Sequence, residues 1–399
     1  MTRVTHNTPL YVHASSLVTC CGAGWDAHDA ALRTMQGGLA PNDFAPATGI
    51  ATWIGRVAGV EDAPLPADWH DYDCRNNRLA LLALRQDGVD AAIATAAKRH
   101  GVARIGVFIG SSTSGVLSTE IAARDAAERG VALAFAPAHY AARHNMYATA
   151  RFIRAWCGLE GPGATISTAC SSSAKAFIAA RRAIRAGRCD AAVVAGVDSL
   201  ALSTLHGFRA LQLLSPRACR PFGALRDGIS IGEAAAVALV GGEARGVRLA
   251  GAGESSDAHH MSTPPPDGAG AARAMQAALD DAGINAAAVG YINLHGTATP
   301  VNDAAEAAAV RTVFGASTPA SSTKGYSGHT LGAAGALEAL LAIHALRNDF
   351  IPANLGGLPV DAALGIEIAT TTRAAQLTHV MSNSFGFGGS NCALVFSRA

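Results

Sequence analysis

The chain has 399 residues, half of them apolar and 15% charged, which excludes a disordered chain and allows a large core in two domains or one large duplicated one. Its 31 basic and 30 acidic side chains nearly cancel, so neither a nucleic-acid binder nor a polybasic membrane anchor is expected. Eight cysteines, at 20, 21, 74, 157, 170, 189, 219 and 392, form no CxxC pair and no His/Cys cluster at metal spacing, which argues against a zinc site.

Met1 to Pro9 is polar and carries no secretory core, and no charge-free apolar window of about 20 residues follows, so the chain reads as cytoplasmic, with reduced thiols and no membrane span. Leu10 to Val18 is a predicted strand, and Asp26 to Met35 a helix ending at Gly37-Gly38. Leu39 to Asp71, rich in Pro, Gly and Asp, reads as a long surface excursion. A long helix is expected over Arg75 to Arg99, with a cap near Asp73. Arg104 to Ile109 is a strand entering the loop Gly110 to Gly115, which lacks both the GxGxxG and the GxxxxGK spacing of a phosphate cradle. Helical stretches over Ser118 to Arg129 and Ala138 to Cys157 come next, then buried strands at Ala164 to Ile166, Ala191 to Val197 and Ala234 to Val240.

The second half repeats the first in outline: strands at Val247 to Ser255 and Val289 to Leu294, helices at Ala269 to Ala282 and His329 to Leu346. Ser-Thr strand ends before Cys170 and before Lys324 each feed an Ala-rich helix, and Gly232 to Val240 parallels Gly389 to Phe396. This pattern implies an internally duplicated α/β chain with its join near Gly241 to Arg245, giving halves 1–243 and 244–399. Chemistry is expected where strand ends of both halves meet.

Cys170 falls at a strand-to-helix junction, where unpaired N–H groups and the helix dipole favour thiolate. On this stretch alone, a small cysteine packed as a hydrophobe remains open. His295, closing a strand, and His329, opening a helix, stand in the same Gly- and Thr-flanked contexts as Cys170.

Four segments in order, Ser167-Thr-Ala-Cys170, His295-Gly-Thr-Ala-Thr-Pro-Val-Asn-Asp303, Lys324 with Gly328-His329-Thr-Leu-Gly-Ala-Ala-Gly335, and Asn383-Ser-Phe-Gly-Phe-Gly-Gly-Ser-Asn391, resemble the β-ketoacyl-ACP synthases of the KAS I/II type across essentially the whole chain. The resemblance implies the five-layered αβαβα thiolase-like fold, a nucleophile at Cys170, a histidine pair at His295 and His329, and a supporting Lys324 that pairs with Glu306, with Asp303 nearby. It puts oxyanion N–H donors on Cys170 and Phe387, makes Phe387 a gate to the cysteine, gives Thr297 and Thr299 to the pantetheine arm, and counts Phe385 among the substrate-binding residues. It also implies a monovalent cation ringed by Asn293, Glu338, Ser382 and Asn383, and carrier-protein docking at Arg75 and Arg78.

The implied activity is decarboxylative condensation of malonyl-ACP with a Cys170-bound acyl group, giving 3-oxoacyl-ACP. No cofactor is required; the phosphopantetheine belongs to the acyl carrier protein substrate. Arg75-Asn-Asn-Arg78, Cys170-Ser-Ser-Ser173 and Gly253-Glu-Ser-Ser-Asp257 look more like the ketosynthases of aryl-polyene clusters than those of fatty acid synthesis. On that likeness Thr113 and Met146 would line the acyl pocket near a dimer interface, in a homodimer or a heterodimer with a chain-length factor. The alternatives are a biosynthetic thiolase, for which Cys392 lies too far along the final strand, and a non-condensing chain-length factor, which needs none of Cys170, His295, Lys324 and His329.

Overall fold

The computed structural model describes residues 9–45, 49–133 and 139–399; the polar start of the chain and Ala138, the first residue of an expected helix, lie outside them. Ten strands make up the two main sets. Strands β1 (Leu10–Thr19), β2 (Ile105–Gly110), β3 (Gly163–Ile166), β4 (Ala191–Asp198) and β5 (Ala234–Gly241) lie in the order β1-β5-β4-β2-β3. Strands β6 (Val247–Ser256), β7 (Val289–Asn293), β8 (Ala320–Ser321), β9 (His379–Gly386) and β10 (Ser390–Arg398) lie in the order β6-β10-β9-β7-β8. In each set the first two pairings are antiparallel and the last two parallel. The sets therefore share order and direction, and they join where Leu10–Val12 of β1 pairs with Val247–Leu249 of β6.

The helices longer than two turns among the described residues are α1 (Gly24–Thr34), α2 (Arg75–Leu84), α3 (Val89–His100), α4 (Val116–Glu128), α5 (Ala148–Trp156), α6 (Ser172–Arg185), α7 (Leu202–Ala210), α8 (Ala269–Ala282), α9 (Pro300–Phe314) and α10 (Ala334–Arg347); a single helical turn over Lys324–Ser327 carries Lys324. Alternate residues of β4 explain the layering: Val193, Ala195 and Val197 pack outward with Leu79 and Leu84 of α2, Ile93 of α3 and Phe152 of α5, whereas Ala192 and Val194 pack inward with α6 and α10. A strand buried on both faces reads as a continuous apolar run, and Ala191 to Val197 is one. The second set lies between α10 on its inner face and α8 and α9 on its outer face. The order of layers is thus α, β, α, β, α.

The middle layer is closely packed. All of α10 except His344 and Arg347 is buried, and a Cβ placed on Gly335 would stand 2.5 Å from the backbone N of Ala174 on α6. Small residues are what let these two helices approach and bring strand ends of both sets toward one point.

Three expectations change. The long helix over 75–99 is two helices, because Asp87 (φ 53°) and Gly88 (φ 68°) take left-handed backbone, and the Asp87 carboxylate caps Trp25 N–H on α1. Its start is Cys74, since Asp73 is engaged by Arg78 and Leu65 N–H. The segment over 39–71 is no surface excursion: Phe44, Ile50, Ile54, Val57, Val60 and Leu65 are buried in it. His329 lies in a turn ahead of α10 rather than opening that helix, with Leu331 at φ 54° between them.

Candidate active site

Cys170 sits in the turn between β3 and α6, preceded by Ala169 at φ 53°, a strained position that only a small side chain occupies at modest cost. The turn is laced by its own hydroxyls: Thr168 N–H donates to Ser172 Oγ, and Ser172 Oγ donates to Ala169 O. A Cβ at Gly110 on β2 would stand 2.2 Å from Ser173 N, so that glycine lets the helix start against the sheet.

The Sγ of Cys170 is buried and lies 2.9 Å from His329 Nε2. The N–H groups of Phe387 and of Cys170 itself both face the sulfur. Burial nevertheless raises the thiol to about 11, against the opposing Lys324 charge and those N–H groups. The expected thiolate is therefore corrected to a thiol at neutral pH. The helix begins two residues later, at Ser172, so the sulfur stands ahead of its first turn.

The His295 main chain is clamped by Glu306 of α9, whose two oxygens accept from His295 N–H and Gly296 N–H, both at 2.8 Å. Lys324 is buried and spends its three protons on Glu338, on His295 O at 2.5 Å and on His295 Nδ1 at 3.3 Å. An ammonium only donates, so His295 Nδ1 accepts and the ring proton stands on Nε2. The partner of Lys324 is Glu338, not the expected Glu306, whose oxygens are already taken by backbone N–H groups. The sequence held this signal: Glu338 is the lone carboxylate of α10 and the only charged residue in its buried stretch.

His329 is fixed by its backbone, N–H to Ser230 O at 2.7 Å and O from Gly232 N–H at 3.0 Å. The two histidine rings stand 5.4 Å apart and edge-on, and ring nitrogens of both lie within 4.8 Å of Cys170 Sγ. Both histidines are held well below their ordinary range by burial first and by the Lys324 charge second. Burial pushes Glu306 and Glu338 up to about 7 and Asp303 up to about 6. Asp303 accepts from Phe222 N–H and Ala298 N–H and so shapes the loop after His295.

A cavity of about 270 Å³ opens onto Cys170, His295 and His329. Thr297 and Thr299 line it, their hydroxyls 3.0 Å apart, together with Phe385 and Phe387. Phe387 sits between Gly386 and Gly388, the latter at φ 79°, and its ring leans on Phe208 of α7 with centroids 5.7 Å apart. Sequence reasoning missed Phe208, Leu211 and Leu213 of the cavity wall, since apolar residues at a helix end look like any other packing residues, and His260, which stands in a loop with no motif around it.

Asn293 Oδ1, Glu338 Oε2, Ser382 Oγ and Asn383 Oδ1 are buried without a partner among the described residues. Four orphaned oxygens of this kind fit a hard monovalent cation.

Four other residues lie away from this cavity: Thr113 and Met146, expected at an acyl pocket near a dimer interface, and Arg75 and Arg78, expected at a docking face. Thr113 gives both its N–H and its hydroxyl to the buried Asp198 carboxylate and so supports that carboxylate. Met146 is 36% exposed and meets Ser167 outside the cavity wall. Arg75, with 8% of its side chain exposed, forms a bidentate pair with Glu233, which also caps Val57 and Leu200 N–H; a guanidinium so engaged is a structural group, not a docking one. Arg78 is forked onto Asp73 and also donates to Glu61 O.

Two family models match the chain, "Beta-ketoacyl synthase, N-terminal domain" over residues 75–244 and "Beta-ketoacyl synthase, C-terminal domain" over residues 247–357. A 3-oxoacyl-[acyl-carrier-protein] synthase 2 of Vibrio cholerae is 36% identical over 342 residues, 80% of each chain. One of Staphylococcus aureus is 33% identical over 345 residues, 81% of this chain and 82% of that one. Among solved structures, the ketosynthase ApeO of Xenorhabdus doucetiae, in complex with its chain length factor ApeC, superposes with a TM-score of 0.89 at 38% identity, covering 98% of both chains. A β-ketoacyl synthase of Burkholderia phymatum gives a TM-score of 0.87 at 31% identity, covering 98% of this chain and all of that one.

Proposed function

The chain belongs to the β-ketoacyl synthase family, and from that premise we propose that Cys170, His295 and His329 carry out the family's reaction, a decarboxylative condensation that extends an acyl group held on Cys170. The observation that carries this reading is the convergence of one thiol, two neutral imidazoles and two backbone N–H donors on a single buried point.

Acylation comes first. His329 Nε2 takes the Cys170 proton as sulfur attacks the acyl thioester of the carrier, and the developing oxyanion faces the N–H groups of Cys170 and Phe387. The proton then leaves with the departing carrier thiol. Malonyl thioester next loses carbon dioxide, and its enolate oxygen meets the Nε2 atoms of His295 and His329. His295 is already in the donating tautomer, set by Lys324. His329 Nδ1 has no partner among the described residues, so neither tautomer is pinned, and the ring can act as base in the first half and as donor in the second. The carbanion attacks the acyl-Cys170 carbonyl, the sulfur leaves as thiolate and takes up a proton from solvent through His329, and a 3-oxoacyl thioester is released.

No cofactor enters these steps; the pantetheine arm, carried by the acyl carrier protein, would lie along Thr297 and Thr299. Asn293, Glu338, Ser382 and Asn383 would hold a monovalent cation, whose charge would neutralise Glu338 beside Lys324. The substrates are acyl-ACP and malonyl-ACP. The 38% identity to ApeO supports a place beside a chain-length-factor partner in polyketide-like, aryl-polyene-type biosynthesis. The intact catalytic set makes this chain the condensing member of such a pair. No helix among the described residues is long and apolar enough to cross a membrane, and eight free cysteines support a cytoplasmic setting. We place the division between the halves at 243/244, in the turn between β5 and β6.

His295→Ala tests the assignment. It is expected to keep Cys170 acylation, read by intact mass, while carbon dioxide release from malonyl-ACP falls at least about 100-fold. Unchanged decarboxylation would overturn the role given to His295.

A further inference from the structure

The gate that carries Phe387 ends at Ser390, the first residue of β10, and Ser390 is held from the helix that follows the nucleophile. Lys175 on α6 donates from Nζ to Ser390 Oγ at 2.7 Å. Glu254 on β6 stands 3.5 Å from the same Nζ and also receives Arg182 of α6. The Lys175 side chain is only 16% exposed, so its ammonium is largely withdrawn from water and committed to these partners.

The other bonds of the gate run elsewhere. Gly389 O accepts from Asp257 N–H, and Gly388 N–H donates to Met261 O, both on the loop after β6. The bond from Lys175 is what joins the gate to α6. It closes a short ring through Cys170, the first turns of α6, Lys175, Ser390 and Phe387. Two N–H groups of that ring, those of Cys170 and Phe387, face Cys170 Sγ.

We infer that Lys175 is a positioning residue for the oxyanion hole: by fixing Ser390 to the nucleophile helix, it sets the spacing between the N–H donors of Cys170 and Phe387. The inference rests on the ketosynthase reading of the site. A hydroxyl–ammonium bond also suits a hinge, since it can break and re-form as the gate moves, while the ammonium stays near Glu254.

The test compares two reactions of the same thiol in Lys175→Met. Acylation by acyl-ACP passes through an oxyanion; alkylation by iodoacetamide does not. Acylation of Cys170, followed by intact mass, is expected to slow about 10-fold, less than the loss of a whole oxyanion donor. Alkylation is expected to fall much less, since the thiolate keeps the Lys324 charge and the N–H of Cys170 itself. Lys175→Arg, which still donates to Ser390, restores most of the acylation rate, and Ser390→Ala reproduces the loss without adding to it in the double variant. Ser390→Ala also serves if Lys175→Met does not fold. Wild-type acylation rates in Lys175→Met and Ser390→Ala, or parallel loss of acylation and alkylation, would overturn the inference. Absence of any acyl adduct on the wild-type protein would instead overturn the ketosynthase reading, and this inference with it.

Discussion

Burial pushes the Cys170 thiol up and the His329 imidazole down, and that has a kinetic signature. A thiol raised to about 11 by burial is almost wholly protonated at neutral pH, so its thiolate fraction grows tenfold per pH unit up to that value. Alkylation of Cys170 by iodoacetamide is therefore expected to climb without a plateau from about pH 7 to pH 10, whereas an ordinary thiol levels off above about 8.5. A plateau below pH 9 would show that the dipole and Lys324 outweigh desolvation. The second residue-scale prediction concerns Lys324 and Glu338. Removing the ammonium leaves a buried carboxylate with one oxygen already unpartnered, so Lys324→Ala is expected to cost about 3–5 kcal/mol and lower the thermal midpoint. Adding Glu338→Gln removes the stranded charge and returns most of that loss. Equal midpoints for the single and double variants would count against the pairing.

Among elements, the turn from β3 into α6 depends on the neighbours that let it sit where it does. Gly110→Ala would drive a Cβ to 2.2 Å from Ser173 N, a backbone atom with nowhere to go. The cost of such overpacking is about 1–3 kcal/mol, and the displacement falls on the start of α6. Both a lower melting temperature and slower acylation of Cys170 are expected. Gly207→Ala, in open space on α7, should be neutral or slightly stabilising. If the two variants melt alike, close approach of β2 to α6 is not what places the nucleophile. The same scale shows where sequence reading succeeds. Strands β4 and β5 are uninterrupted apolar runs, and α8 was bounded to the residue, because periodicity reports burial directly. It failed at Asp87-Gly88, where a local backbone choice broke an otherwise continuous helical pattern.

The whole molecule places two equivalent strand sets back to back around α6 and α10, so that Cys170 arrives from the first half and His295, Lys324, His329 and Phe387 from the second. The duplication was readable because strand-to-helix units recur in order. The meeting of Cys170, His295 and His329 was legible because each stands at a strand end or turn beside Gly and Thr. Arg75 was misread because a guanidinium in a helix's first turn looks the same in sequence whether it faces solvent or a buried Glu233 brought from 158 residues away. Glu306 was paired with the wrong partner for the same reason: which carboxylate reaches Lys324 depends on how α9 and α10 pack.

Intact-mass analysis of wild type and Cys170→Ala, incubated with acyl-ACP and then with malonyl-ACP, tests the central claim most directly. An acyl adduct on wild type alone, discharged by malonyl-ACP into a 3-oxoacyl-ACP, is the predicted result. An adduct that persists in Cys170→Ala, or one on wild type that malonyl-ACP cannot discharge even with a chain-length-factor partner present, would contradict it.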